Sequence, residues 1–527
     1  MDDNGAVSAA DLREVRPMPA APLADAPVDQ PGRPARSAEQ PAWWWVPVVV
    51  AVAAFTLRLT PVLRGGGLWG LLGYDGGVYY TAAAGLAHGL LPYQDFLLLH
   101  PPGITLTLLP FALLGRVVGD ADAMAVARLG SMALGAVSAV LVAAVLRRHG
   151  RLAALCGGLA YAVYVPAIYV ERTTALEAVT GVCTLGAVLL LVRAIDRPAT
   201  AGRLVVLAGV LLGFSSATKI WGVAVLVALV VWCAVSLGRR RALQLTAGAA
   251  AAVVVVCLPF FLAAPVRMWR MVVEAQLGRT RVPVPLSTKL VDIAGLTEIH
   301  TRHLTELLVL AALVAVVVVA LALRARVGRL AAVLLAVGLV LLFASPAWST
   351  DYASLVAAPL AVLLGVAVGV LLARTRPWLG LTGGVAAVGV LAGYTALSVP
   401  TTTFGPSFPG RSLARLLADT PGCVTSDDPA ALVEADLLQR NLARGCPLMA
   451  DLGGYSYYLQ PGAGLHVGRS RNEQWQRFTL DYLGSGEATL VVRFADNVGL
   501  SRSTRATIAG WPLLGLVGPW EVRHPPR

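Results

Sequence analysis

The chain has 527 residues, of which 57% are hydrophobic and only 14% charged, and a formal net charge of +12. Its mean hydropathy is +0.70. Globular chains run nearer about 25% charged, so an ordinary soluble enzyme is excluded and a polytopic membrane protein is indicated. The 53 glycines and 33 prolines follow no short period, which excludes a collagen-like chain, and six cysteines without a CxxC pair exclude a disulfide scaffold and argue against zinc.

Residues 1–43 mix seven acids with four arginines among Pro and Ala and lack an apolar segment. They predict a disordered cytoplasmic tail and not a signal peptide. The first apolar run, 44–63, follows the aromatic anchor Trp43-Trp44-Trp45 and is long enough to cross a hydrocarbon core of about 30 Å. Further spans are predicted at 124–146, 152–170, 175–192, 204–218, 220–237, 243–263, 306–323, 330–345, 353–373 and 378–399, which makes eleven. As one helix, 204–237 would be about 50 Å long at 1.5 Å per residue, so two short helices meeting near Lys219 are expected instead. The run 104–118 opens at Pro101-Pro102-Gly103 and is short for a crossing, so it is expected to lie along the interface.

With the N-terminus inside, the cytoplasmic connections hold Arg147, Arg148, Arg151, Arg193, Arg197, Arg203, Arg239, Arg240, Arg241, Arg324, Arg326, Arg329, Arg374 and Arg376 against the single acid Asp196. That surplus accounts for the whole basic balance as a topology signal and removes the support for a nucleic-acid partner. An odd span count places residues 401–527 outside, where Cys423 and Cys446 are candidates for a disulfide. The other four cysteines lie in apolar helices and read as small core residues. Alternating runs such as Thr489 to Phe494 predict a small extracytoplasmic α/β domain. The fold class is therefore an all-α polytopic membrane bundle of about eleven helices, 44–400, with a C-terminal extracytoplasmic α/β domain, 401–527.

Two outer loops, 64–123 and 264–305, carry the polar residues. The first holds Asp75, Tyr79 and Tyr80, then Gly89 to Phe96, then His100-Pro101-Pro102. The second holds Arg267, Arg270, Arg279, Arg281, Lys289 and Arg302, cations on the side where the charge rule does not ask for them. They fit a phosphate at the membrane surface, since guanidinium groups pair with phosphate oxygens. An amphipathic helix over Val266 to Leu277 resting on headgroups is the competing reading for Arg267 and Arg270. Asp75 could equally be a helix N-cap, Lys219 a snorkelling residue, His100 a structural loop residue and Tyr352 a member of an aromatic belt. Glu171 is expected at the water interface. Glu177, inside a span, needs a partner, either in a donor-side network or in a structural pair with Arg128 or Arg172.

In their order along the chain these residues resemble the GT-C glycosyltransferases, in particular the bacterial branch related to protein O-mannosyltransferases and lipid A aminoarabinose transferases. The resemblance rests on Asp75 with Tyr79 and Tyr80, the stretch Gly89 to Phe96, His100 before Pro101-Pro102, Arg128, Glu177, Thr218-Lys219 and Gln276-x-x-Arg279. It covers about residues 44–400. Many relatives carry Asp-Glu at the first acidic site, whereas Asp75 is followed by Gly76, which puts in doubt any role of that second carboxylate, including help in binding a divalent metal.

The resemblance implies transfer of a sugar, mannose first and a pentose such as arabinose second, from a polyprenyl-phosphate donor to an acceptor hydroxyl at the outer face, with inversion. It implies Asp75 as general base and a donor site drawn from Lys219, Arg279, His100, Glu177, Gln276, Arg128, Tyr79 and Tyr80. The resemblance fixes no cofactor and leaves a divalent cation open. Partners are the lipid-linked donor and a protein, glycolipid, glycan or peptide acceptor. Two lysines against forty arginines match a GC-rich, actinobacterial composition. The rival readings are a transporter or lipid flippase, whose charges would sit near the bilayer midplane, and a scaffold without catalysis that presents the C-terminal domain to a partner.

Overall fold

The structure, a computed structural model, describes residues 43–279, 283–374, 377–398, 404–459, 467–495 and 499–526. Residues 1–42, for which a disordered tail is predicted, and Arg281 of the basic loop lie outside the described residues.

Helix α1, Trp45–Arg64, is followed by a loop holding two helices, α2 at Tyr74–Ala87 and α3 at Gly103–Val118. The run expected to lie flat is thus α3, which packs between α2 and α4, Asp120–Val145. The predicted span 152–170 is broken: α5, Arg151–Val163, and α6, Val165–Glu171, meet at a 61° bend. Pro166 in the first turn of α6 supplies no amide hydrogen to continue the helix, so the break falls where a proline places it. Next come α7, Leu176–Asp196, α8, Ala201–Ser216, and α9, Gly222–Leu237, the last two being the short helices expected on either side of Lys219.

Helix α10, Arg239–Ala263, leads into the second long loop, where α11, Pro265–Trp269, passes through a π-helical turn at Arg270–Glu274 into α12, Ala275–Leu277. The amphipathic helix expected over Val266 to Leu277 is therefore interrupted. A π turn shifts the facing of the residues beyond it, which affects Gln276 and Arg279. The bundle continues with α13, Leu286–Ile293, α14, Leu304–Ala322, α15, Arg326–Ala344, α16, Ala357–Arg374, and α17, Pro377–Ser398. Among the described residues seven helices are long and apolar enough to cross a membrane, eight if the bent pair counts as one, and four shorter apolar helices accompany them. The arginine clusters fall in alternate connections of this bundle, α4 to α5, α7 to α8, α9 to α10 and α14 to α15.

The C-terminal segment adds six short helices, α18 at Gly410–Leu416, α19 at Pro429–Glu434, α20 at Leu438–Ala443, α21 at Leu452–Tyr458, α22 at Glu473–Gly484 and α23 at Arg502–Ala509. They accompany a four-stranded sheet in the order β1, β2, β4, β3, with strands Val424–Ser426, Ala488–Leu490, Trp520–Arg523 and Leu513–Val517 respectively. β1 and β2 run parallel, whereas β4 is antiparallel to both its neighbours. Cys423 and Cys446 are joined by a disulfide across α19 and α20. Asp427, at the end of β1, accepts hydrogen bonds from the amides of Val492, Arg493 and Phe494 at 2.6, 3.0 and 2.6 Å, which fixes the chain leaving β2.

One continuous core joins this segment to the bundle: Tyr79, Leu97, Leu98 and Ile104 belong to the same buried cluster as Leu413, Leu432, Leu438 and Val522. An ion pair buried on both sides reinforces it, with Arg128 Nη1 2.7 Å from Glu434 Oε1. Removing one partner of a buried pair strands the other charge and typically costs about 3–5 kcal/mol. Arg128→Ala is accordingly expected to lower the melting temperature sharply, and Arg128→Ala with Glu434→Ala to recover part of the loss. A melting curve of detergent-solubilised protein checks this.

Candidate active site

Helix α2 begins at Gly73 with no side chain capping it, and Asp75 occupies its first turn. The carboxylate is therefore not the N-cap that its position allowed; it sits where the positive end of the helix favours a negative charge. Of the two glycines after it, Gly77 is required by packing and Gly76 is closely approached. A Cβ on Gly76 would meet Thr174 Oγ1 at 3.0 Å, and one on Gly77 would lie 2.5 Å from the Ala430 amide nitrogen. Helix α2 is thus pressed against α19 on one side and lies close to Thr174 on another, so a side chain at position 76 requires Thr174 to give way.

Asp75 faces a cavity of about 1020 Å³. Seven of the nine residues singled out for the reaction line it: Asp75, Tyr79, His100, Glu177, Lys219, Gln276 and Arg279. The other two do not. Arg128 is held by Glu434 and by the Leu68 carbonyl, and Tyr80 donates to Asp120 Oδ1 at 3.1 Å; both are turned into the core between the bundle and the C-terminal segment. An Arg at the start of a helix, read from sequence alone, does not reveal a partner more than 300 residues away.

Lys219 pairs with Glu177, neither Arg128 nor Arg172 being the partner. Its ammonium lies 4.4 Å from the Trp221 ring centroid and 5.0 Å from that of Tyr352, so the lysine is caged by aromatics and does not snorkel. Arg279 stacks over Tyr457 at 4.7 Å, and Gln276 donates to the Leu99 carbonyl at 2.7 Å, pinning the loop end against the turn that carries His100. Tyr79 meets His100 edge-on at 5.6 Å. Glu171 is not at the water interface: it is buried with Arg58, which donates to it at 2.7 Å, and with Tyr161.

Electrostatics set the protonation of the site. The Asp75 carboxyl opens on the cavity. Burial, then the charges of Asp451, Asp351 and Glu177, raise its pKa to about 6, with Arg279 opposing. His100 is pushed well below its ordinary value by burial and by Arg279 and Lys219, so it is a neutral imidazole near pH 7, and its Nδ1 has no hydrogen-bond partner among the described residues. It can donate one hydrogen bond; it is not a cation. No group of three His, Cys, Asp or Glu side chains is placed to hold a metal ion among the described residues.

Sequence reasoning missed the wall supplied by the C-terminal segment: Asp451, Tyr457, Arg469 and Arg493 line the cavity with Tyr74 and Arg172. These residues are scattered over more than forty positions with no periodic signal, and it is the fold of the C-terminal segment, tied to α2 by the Tyr74 hydroxyl at Asp451 and Gly453, that brings them together. A second, apolar groove between α7, α9, α15 and α16 shares Glu177, Lys219, Trp221 and Tyr352 with the cavity and is otherwise lined by side chains such as Leu185, Val225, Leu334 and Val362.

The family described as dolichyl-phosphate-mannose-protein mannosyltransferase matches residues 99–269. No curated protein sequence matches the chain. Among solved structures, ArnT from Cupriavidus metallidurans bound to undecaprenyl phosphate superposes with a TM-score of 0.59 at 16% identity, over 92% of this chain and 98% of that one. Its apo state gives 0.59 at 15% identity, over 91% and 97%. The archaeal oligosaccharyltransferase AglB from Archaeoglobus fulgidus, in complex with an inhibitory peptide and a dolichol-phosphate, gives 0.56 at 13% identity, over 85% and 69%. At these identities the likeness is one of fold.

Proposed function

We propose that this chain is a GT-C membrane glycosyltransferase that moves a sugar from a polyprenyl-phosphate donor to an acceptor hydroxyl with inversion, a reading supported by its fold and its partial family match. The observation that carries the reading is the single cavity in which Asp75, at about pKa 6, lies with Lys219 and Arg279 beside an apolar groove. The groove suits an isoprenoid chain and the cations at its mouth suit the phosphate.

In the reaction the acceptor oxygen attacks the anomeric carbon as Asp75 takes its proton. The bond from that carbon to the phosphate oxygen breaks, and the electron pair leaves with the polyprenyl phosphate. Arg279 has no hydrogen-bond partner among the described residues, and its Nε is buried, so its guanidinium is available to the phosphate oxygens. Lys219 adds charge where the leaving group becomes more negative, the interaction that contributes most to transfers of this kind. His100, as a neutral donor, can supply one hydrogen bond to the phosphate or to a sugar hydroxyl. The donor set does not fit a metal ion, and no step is routed through one.

The sugar proposed is mannose, in keeping with the description of the matching family. The cavity would face the exterior, since the arginine-rich connections occupy the alternate loops and the disulfide suits an oxidising compartment. Membranes containing the protein, incubated with labelled polyprenyl-phosphate mannose, arabinose or glucose, should release label from the mannose donor into lipid, protein or peptide. Label that stays in all three donors would overturn the reading.

A further inference from the structure

The C-terminal segment brings one acid into the cavity, Asp451, that the mechanism above leaves idle. Its Oδ1 accepts from the amide of Gly454 at 2.7 Å and from the Tyr74 hydroxyl at 3.0 Å. That hydroxyl accepts in turn from the Gly453 amide at 2.7 Å. Tyr74 directly precedes Asp75, so one phenol ties the two acids into the same corner of the cavity. Neither Asp75 nor Asp451 takes part in an ion pair among the described residues, whereas Glu177 has Lys219. The Asp451 Oδ2 has no hydrogen-bond donor there either. A carboxylate that spends one oxygen on its own fold leaves the other able to accept from a donor group bound in the cavity.

We propose that Asp451 is the second carboxylate of the reaction site and binds the acceptor, its Oδ2 taking a hydrogen bond from a further hydroxyl or N–H of the acceptor while its charge acts on Asp75. This rests on the transferase reading above. The acceptor then presents two groups, a hydroxyl that reacts at Asp75 and a second donor held by Asp451. Arg469, whose guanidinium is 5.8 Å from the Tyr457 ring and 5.1 Å from that of Phe494, lies on the same wall and partly opposes the burial that raises the Asp451 pKa.

The groups that act on Asp75 are Asp451, Asp351 and Glu177, which favour its protonation, and Arg279, which opposes it. Lys219, Tyr79, Tyr352 and Asp428 also feel its charge. Those that act on Asp451 are Tyr74, Arg469 and Arg279. Neutralising Asp451 therefore lets Asp75 release its proton at lower pH; loosened packing acts in the same direction by hydrating Asp75, so the acceptor KM of a folded variant is what separates the two.

The test uses Asp451→Asn and Asp451→Ser, both of which keep a side chain favoured at the N-cap of α21, with folding checked by size-exclusion profile. Donor turnover is followed against pH with octyl glucoside, a threonine hexapeptide amide or water as acceptor. The expected result is an acid limb displaced to lower pH with every acceptor. With the organic acceptor that the wild type uses, KM should rise about tenfold or more, the scale of a hydrogen bond to a charged group, while donor KM stays within about twofold. Folded variants with an unmoved acid limb and unchanged acceptor KM would overturn the assignment of Asp451. A wild-type protein that consumes no polyprenyl-phosphate sugar would instead remove the transferase reading, and this one with it.

Discussion

Asp75→Asn is expected to cut sugar transfer by about 10²- to 10⁴-fold, the usual contribution of a positioned general base, while leaving insertion and folding intact. The amide keeps the shape of the carboxylate but cannot take the proton of the attacking hydroxyl. In the wild type the same group should give the rate an acid limb: with a pKa of about 6, Asp75 is protonated below that pH and transfer is expected to fall as pH drops through it. Stability moves the other way. Because the folded pKa lies above the ordinary carboxylate value of 3.8, this group disfavours the folded state once pH rises above 3.8, and its full cost is present above about 6. Asp75→Asn should therefore melt higher than the wild type at pH 7.5. Transfer rates from pH 5 to 8, with paired melting curves, check both signs; a variant that transfers normally is incompatible with a base at this position.

Lys219→Met should lower turnover by about 10²- to 10³-fold, comparable to the loss of a single group that stabilises developing negative charge. It also leaves Glu177 without its cation, so the single variant is expected to be less stable. The double variant Lys219→Met with Glu177→Gln separates the two effects. If Lys219 serves the departing phosphate, the double variant recovers its melting temperature and stays inactive. If the pair is only structural, activity returns with stability. Measured turnover and melting temperature of the three proteins decide between these outcomes.

The helical architecture is legible in the chain because apolar length and arginine placement are strong, local signals: the helix around Lys219 is broken as expected, and Asp75, Tyr79, His100, Gln276 and Arg279 of the two loops converge on one cavity. The bend at Tyr164 needed only closer attention to Pro166. What sequence could not supply is pairing at a distance. Arg128 reads as a donor residue until Glu434 is seen beside it, Glu171 reads as interfacial until Arg58 and Tyr161 enclose it, and Asp451 carries no local pattern at all. Gly76 is the instructive case. As a missing carboxylate it reads as a deficiency, and the structure gives its physical reason in the closeness of Thr174.

The two walls of the cavity also emerge at different times. Asp75 leaves the ribosome 376 residues before Asp451, so a growing polypeptide holds the proposed base long before Asp451, Tyr457, Arg469 and Arg493 complete the opposite side of the pocket. A premature stop codon near position 440 would give a product that inserts into the bilayer but is chemically silent, and it could not hydrolyse the cell's lipid-linked sugars while it waits.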